Sequence, residues 1–256
     1  MPNSVAPRPN IPSSPGDAIG TDNTSADASI NINLDGLTGN TNNTKGGQTV
    51  ALLLLFALLS IAPSLIMMLT SFTRIVIVLS LTRNALGLQM APPNQVIVGL
   101  SMFLTFFVMA PTLSTMNKDA LQPLLKGQIT TQQAYDRAVV PLQAFMLKQT
   151  GKSELALFTT ANASATGENP APGNKVSMVA LVPAFILSEL KAAFIIGFVI
   201  FIPFLIIDLI VSSSLMSMGM FMLPPVLVSL PFKLMLFVLV DGWSLIVESL
   251  LKSFNT

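Results

Sequence analysis

Cysteine and histidine are both absent from this chain of 256 residues. The chain therefore has no disulfide bond, no thiol nucleophile, no zinc site of the Cys/His type and no histidine acid–base chemistry. The absence of cysteine does not identify the cellular compartment. What it does exclude is the commonest set of metal and nucleophile sites.

Charged residues are scarce as well. They make up 10% of the chain, against about 25% in typical soluble domains, whereas hydrophobic residues make up 52%. This composition predicts an integral membrane or membrane-derived protein. The formal net charge is only +1, so no basic field points to a nucleic-acid partner.

Motifs that bind or cleave nucleotides and esters are also missing. The chain has no Gly-x-x-x-x-Gly-Lys-Ser/Thr, no Gly-x-Gly-x-x-Gly and no Gly-x-Ser-x-Gly, which carry phosphate binding and serine nucleophiles. We therefore expect no enzyme and no cofactor. If the protein transports something, a partner or an ion gradient supplies the energy.

The chain opens with a polar stretch, Met1 to Thr49, that is rich in Pro, Asn, Ser, Thr, Gly and Asp. Such a composition cannot bury enough apolar surface to fold by itself, so residues 1–47 are predicted to be disordered. No charged region followed by an apolar region marks a signal peptide in the first 30 residues. Either the chain lacks one or the numbering starts after it.

Four apolar stretches follow, and each approaches the roughly 20 residues that a membrane-spanning helix needs. They are Val50–Leu69, Val96–Leu113, Met178–Leu215 and Val226–Leu251. The sequence thus predicts an all-α membrane protein built from long, Pro-kinked helical hairpins. The first hairpin covers residues 48–115 and the second covers 178–256.

The third stretch is too long for one span. A helix over its residues would reach about 57 Å, whereas a hydrocarbon core is about 30 Å thick. It must kink, break or extend outside the membrane, and Pro183 and Pro203 are its natural kink sites.

The distribution of basic residues predicts the topology. Thr70–Gln95 carries Arg74 and Arg83 but no acid, and short basic loops stay cytoplasmic. Both termini and residues 116–177 then lie on the extracytoplasmic (periplasmic) side. Within that long loop we expect a helix near 130–148, capped by Thr130 or Thr131, and a mobile linker over Thr159–Asn174.

A methionine cluster joins the two apolar arms of the second hairpin. Leu215–Pro225 contains Met216, Met218, Met220 and Met222 on a turn with one glycine. Methionine is flexible and repacks around changing partners, so the cluster suggests a deformable plug or collar. The alternative is that these are ordinary core or lipid-facing residues at a helix end.

Opposite charges occur in the two arms of this hairpin. Glu189 and Lys233 lie in apolar surroundings, where charges usually pair or line a polar cavity. We hypothesise that they form a charged cluster, within one chain or between neighbours; the alternative is that both reach toward an interface. Asp208 and Asp241 lack the Gly-x-Gly-Asp context of membrane proteases. The better interpretations are that they cap helix ends, pair across subunits or lie near the lipid headgroups.

Several ordered strings resemble one known family, that of FliP, the flagellar export-gate protein, whose injectisome relatives share the pattern. They are Ser71–Leu79, Arg83–Gly87, Pro92–Gly99, Phe107–Pro111, Pro183–Phe194, Phe201–Asp208 and Leu230–Trp243. The resemblance covers the chain from about Val50 to the C-terminus. It leaves residues 1–47 uncovered.

This resemblance implies a core subunit of the flagellar type III protein export gate in the bacterial inner membrane, in the flagellar basal body. Several copies, usually five, would assemble with FliQ and FliR into a helical homo- or hetero-oligomer around a channel for unfolded flagellar proteins. FlhB and FlhA would lie beside it. Lipid is a further expected partner and nucleic acid is not. Much of the assembly would lie on the periplasmic side.

The resemblance also assigns residues. The family's methionine gasket falls on Met220, Phe221 and Met222, with Met216 and Met218 as contributors; relatives often carry Met where this chain has Phe221. The family's charged cluster falls on Glu189 and Lys233. Two competing interpretations stay open: a small-solute or ion transporter with a site at a broken third segment, and a structural scaffold of the basal body.

Overall fold

The computed structural model describes residues 45–88, 91–166 and 176–254. The chain divides into two compact units, Met1–Leu55 and Phe56–Thr256. The contacts described below belong to the second unit. The predicted disordered segment 1–47 lies outside the described residues, except that residues 45–47 begin the first helix.

Every regular element within these ranges is helical, as the sequence predicts. A π-helical segment, Asn117–Leu121, joins the third helix to the fourth. The α-helices are α1 (Lys45–Met68), α2 (Phe72–Ala85), α3 (Asn94–Met116), α4 (Gln122–Leu125), α5 (Thr131–Gln149), α6 (Lys152–Thr166), α7 (Met178–Ser217), α8 (Pro225–Leu239) and α9 (Gly242–Phe254).

Two helical runs are long and apolar enough to cross a membrane by themselves. They are Asn94–Leu125, which includes α3 and its continuation, and Met178–Ser217. Leu52–Met68 of α1 passes the same test together with α2, and α8 passes it together with α9, but the chain bends by 68° and 63° between the members of these pairs. The described chain therefore offers up to four candidate spans.

The predicted loop over Thr70–Gln95 is wrong, because α2 occupies most of it. Ile75, Val78, Leu79 and Thr82 follow helical spacing and are fully buried or nearly so. The two arginines suggested a solvated loop, but Arg74 is only 4% exposed. Charged residues are usually exposed, so the arginines favoured a loop over a buried helix. Arg74 is an exception because its charge is satisfied within the protein.

Close contact with α7 places α2 in the core. A Cβ atom on Gly197 would overlap the side chain of Leu81, so only glycine permits this approach of the two helices. Ile75, Val78 and Leu79 of α2 belong to the same buried cluster as Ala193 and Phe204 of α7. The central unit of the fold is thus a short buried helix packed along a long one.

The long helix α7 answers one of the questions left by the sequence. It runs without interruption for 40 residues, through both Pro183 and Pro203. At 1.5 Å per residue it is about 60 Å long, so it exceeds a hydrocarbon core of about 30 Å. Of the three predicted possibilities, the break is wrong.

The fourth apolar stretch, expected as one span, is divided into two helices. Asp241 adopts a left-handed backbone, with φ of 49°, and ends the run of α8. A Cβ atom on the next residue, Gly242, would overlap the ring of Phe237. An acid that tolerates positive φ, followed by the one residue with no side chain, permits this tight bend.

The long polar loop contains more helix than predicted. Where a helix was expected near 130–148, α5 begins at a capping box in which Thr130 accepts from the N–H of Gln133 and the Gln133 side chain accepts from the N–H of Thr130. The predicted mobile linker over Thr159–Asn174 is wrong over residues 159–166, which belong to α6. Its remainder lies outside the described residues.

Candidate functional site

The methionine turn is shaped by its backbone. Gly219 lies in the left-handed region with φ of 75°, and its N–H donates to the carbonyl of Met216 at 3.1 Å. The N–H of Met220 donates to the carbonyl of Leu215 at 3.0 Å. This is the Schellman ending of a helix. Pro225 then begins α8 at a position that suits proline, so the methionine side chains are not needed to form the turn.

All the predicted gasket side chains are exposed in the single chain. The exposed fractions are 59% for Met216, 71% for Met218, 36% for Met220, 79% for Phe221 and 99% for Met222. A contiguous exposed apolar surface marks a site of interaction with protein or membrane. Convergence of these side chains around a channel stays a prediction.

A buried ion pair holds the N-terminal third of α7 against α2. Nε of Arg74 donates to Oε2 of Glu189 at 2.8 Å, and Nη2 of Arg74 donates to Oε1 at 2.6 Å. Glu189 has no exposed surface. The planar guanidinium matches both carboxylate oxygens at once, which makes this a strong and directional contact.

The remaining face of Arg74 is satisfied by the C-terminal helix and by α5. Its Nη1 donates to the carbonyl and the Oγ of Ser253, both at 3.0 Å, and its guanidinium carbon lies 4.1 Å from the centre of the Phe254 ring. Gln149 of α5 donates from Nε2 to the Phe254 carbonyl at 3.0 Å. This arginine node therefore ties together α2, α5, α7 and α9.

A second polar node lies between α7 and α8. Nζ of Lys233 is 2.5 Å from Oδ2 of Asp208, and Oγ of Ser229 donates to Oδ1 of Asp208 at 2.5 Å. The same ammonium donates to the carbonyl of Ala85 at 3.4 Å. Ala85 is the last residue of α2, where the helix dipole favours a cation. This lysine node closes the α7–α8 hairpin onto the end of α2.

These two nodes correct the predicted pairing. Glu189 and Lys233 are both buried, at 0% and 2% exposure, so neither reaches toward an interface. Within the described chain, however, Glu189 pairs with Arg74 and Lys233 pairs with Asp208. The single cluster is wrong for one chain, because each charge finds a nearer opposite charge. A cluster between neighbouring copies stays a prediction.

Sequence reasoning missed Arg74 as a partner and placed it in a loop. The signal was present, since Arg74 stands within Phe72–Leu79, a string with no other charge. A cation inside an apolar helix is expected to pair with an acid, and Glu189 is an acid in another apolar helix. Asp208 was weighed as a pairing residue, but its partner was not identified.

A third ion pair fixes α6 to α7. Nζ of Lys191 lies 2.8 Å from Oε1 of Glu154, and Oγ of Ser153 donates to Oε2 of Glu154 at 2.7 Å. Hydrogen bonds from Lys191 and Ser153 lower the pKa of Glu154 from 4.5 to about 2. The carboxylate thus stays charged across the physiological pH range.

The described residues 45–88, 91–166 and 176–254 contain no group of three or more acidic side chains that could hold a metal ion. Asp208 is engaged by Ser229 and Lys233, whereas Asp241 lies at the bend between α8 and α9. The side chains that stand out are therefore apolar ones at the turn and paired charges in the interior.

Comparison with known proteins gives the family. The model of the FliP family matches residues 55–250. A flagellar biosynthetic protein FliP of Bacillus subtilis is 56% identical over 207 residues, which are 81% of this chain and 92% of the relative. Those of Pectobacterium carotovorum and Aquifex aeolicus are 53% and 48% identical, covering 82% and 81% of this chain and 81% and 87% of the relatives. The chain belongs to the FliP family of flagellar biosynthetic proteins.

Proposed function

We propose that this protein is a core subunit of the flagellar type III protein export gate. Several copies, five in our proposal, assemble with FliQ and FliR around a central channel, next to FlhA and FlhB, and unfolded flagellar proteins pass through it. The gate belongs to the bacterial inner membrane and the flagellar basal body, with much of it on the periplasmic side. The family match and the apolar helices support this proposal.

The observation that carries the proposal is the exposure of the methionine turn. Met222 is 99% exposed and Phe221 is 79% exposed, although both lie at the tip of a hairpin of apolar helices. Exposed apolar side chains of this size are costly in water and are stabilised when other chains cover them. Thioether side chains adapt to different neighbours. Copies of this turn can therefore close the channel against one another at rest, or close around a polypeptide that passes through it.

The paired charges support the same proposal, because they fix the helices next to the deformable turn. If the turn is to deform when a polypeptide passes, the helices that carry it must stay fixed in their packing. The arginine node and the lysine node fix α7 to α2 and to α8 through buried, directional contacts. Motion at the turn can then occur without loss of the surrounding packing.

The proposal is tested by the double variant Met220→Ala/Met222→Ala, expressed with FliQ and FliR. We expect assembly to continue, because these side chains are exposed, and small solutes to leak across the membrane, because the seal loses bulk. Met235→Ala is the matched control: Met235 is 59% exposed on α8 but lies outside the turn. It should assemble and stay tight.

An assembled double variant with an unchanged barrier and normal export would contradict the collar and favour a structural scaffold. The competing small-solute transporter depended on a break in the third apolar stretch, and α7 has none. It still makes a separate prediction, saturable uptake of a solute by the purified chain alone. The export proposal predicts no transport without partners.

A further inference from the structure

A wide groove opens away from both the methionine turn and the lysine node. Its volume is about 1050 Å³, and it runs between α3, the π-helical segment, α5 and α9. Gln149 and Phe254 of the arginine node form part of its wall. Nothing in the proposed export function requires a groove here.

The rim of the groove is basic. Lys118, Arg137 and Lys148 line it together with a single acid, Asp119. All four side chains are exposed, and none of them takes part in the four ion pairs among the described residues. The groove thus presents three cations against one carboxylate, which favours an anionic ligand.

The walls of the groove are apolar. Phe107 and Pro111 contribute from α3, whereas Leu251 and Phe254 contribute from α9. Phe107 is 65% exposed, so it is free to contact a ligand. A groove with apolar walls and a basic rim matches an amphipathic anion with a long hydrocarbon portion.

The spacing along α3 matches the dimensions of a lipid leaflet. Lys118 follows Phe107 by eleven positions, which corresponds to about 16 Å of helix. Half of a hydrocarbon core of about 30 Å is about 15 Å. Lys118 lies where the apolar run of α3 ends, which is the position of lipid phosphates next to a membrane-spanning helix.

We propose that this groove binds an anionic phospholipid. The phosphate contacts part of the basic rim, Lys118 together with one of the two α5 cations, which lie eleven positions apart along that helix, and an acyl chain lies along Phe107 and toward Leu251. Basic sites between apolar helices recognise anionic lipid headgroups in this manner. A soluble acidic peptide fits less well, because its polar backbone would face the apolar walls without hydrogen-bond partners.

The test uses the purified full chain in detergent, titrated with dioleoyl phosphatidylglycerol or with dioleoyl phosphatidylcholine, and native mass spectrometry counts the retained lipids. We expect retention of phosphatidylglycerol over phosphatidylcholine. The variant Arg137→Gln/Lys148→Gln should weaken that retention about tenfold. The matched control, Lys126→Gln/Lys152→Gln, removes the same charge from exposed positions outside the groove and should retain the lipid like the parent protein.

Equal retention of the two lipids, or equal loss in the two variants, would overturn the proposal. Glycerophosphoglycerol, the soluble headgroup, should not displace the lipid, since it lacks acyl chains; full displacement would reduce the site to a phosphate site. A photo-crosslinker at Val140, which is exposed and lines the groove, should give lipid adducts in cells. Adducts with a protein instead would assign the groove to a protein interface. None of these readouts depends on export.

Discussion

The arginine node and the methionine turn, which lie at different places along α7, differ in whether a single chain buries their side chains. Around Glu189 the carboxylate is fully buried, and both its oxygens accept from Arg74. At the turn, Met222 is almost fully exposed. The comparison teaches that the charges are satisfied within the single chain, whereas the apolar tip is not covered by it. It reverses the usual arrangement of soluble proteins, in which charges lie outside and methionines inside.

The largest effect is expected from Glu189→Gln. The substitution leaves the guanidinium of Arg74 buried without a counter-charge, so it should lower the free energy of unfolding by about 3–5 kcal/mol. Titration of the purified chain with denaturing detergent, followed by circular dichroism, measures this. Glu248→Gln is the control, because its pair with Lys252 is exposed and exposed pairs contribute little to stability. Equal losses in the two variants would break the comparison.

A charge-free replacement sharpens the same point. Arg74→Met/Glu189→Leu removes both charges together and leaves no unpaired charge in the interior. It should recover most of the stability that Glu189→Gln loses, since buried pairs are often replaceable by apolar residues. If the double variant is as unstable as the single one, the pair contributes by its attraction rather than by neutralising a buried charge.

Two glycines extend the comparison to the backbone. Gly242→Ala places a methyl group against the ring of Phe237, and overpacking of this kind costs about 1–3 kcal/mol. At Gly219 a Cβ atom meets nothing within 4 Å, so Gly219→Ala pays only for its left-handed φ, about 1–2 kcal/mol. The same detergent titration compares them. A larger loss at Gly219 would mean that the tip is packed.

Met222→Ser should change the free energy of unfolding by less than about 0.5 kcal/mol, because substitutions at exposed positions rarely do more. Stability of the single chain would then be unchanged, whereas the barrier of the proposed gate would be weakened. A stability loss well beyond this bound would show that the tip is already packed within one chain. The detergent titration and a solute-leak assay measure the two properties.

The smallest effect is a dependence on pH. The pKa of Glu154 is lowered to about 2 in the fold, so its pair with Lys191 contributes stability above the ordinary value of 4.5. That contribution declines as the pH falls from 4.5 toward 2. Lys191→Met should flatten this part of the stability profile, whereas Lys152→Met, at an exposed position with no ion pair, should not. Identical profiles in the two variants would contradict the assignment.

Periodicity and turn chemistry in the sequence were sufficient for much of this structure. The helical class, the helix after Thr130 and the glycine turn between α7 and α8 all follow from local patterns, since caps and turns depend on neighbouring residues. The failures at α2 and at Asp241 have one cause. Reasoning from neighbouring residues alone takes a charged residue to be exposed, and it takes a long apolar run to be one straight span. Only contacts with residues distant in sequence overturn these two assumptions.

The sequence by itself determined the apolar helical class, the family and the position of the methionine cluster, because composition and ordered motifs do not depend on tertiary structure. Only the tertiary structure decided that Glu189 pairs with Arg74, 115 positions away along the chain, and that Lys233 pairs with Asp208. It alone showed the basic groove beside α5. The physical reason is that the partner of a buried charge is chosen by distance in space, and that distance is set by helix packing rather than by spacing along the chain.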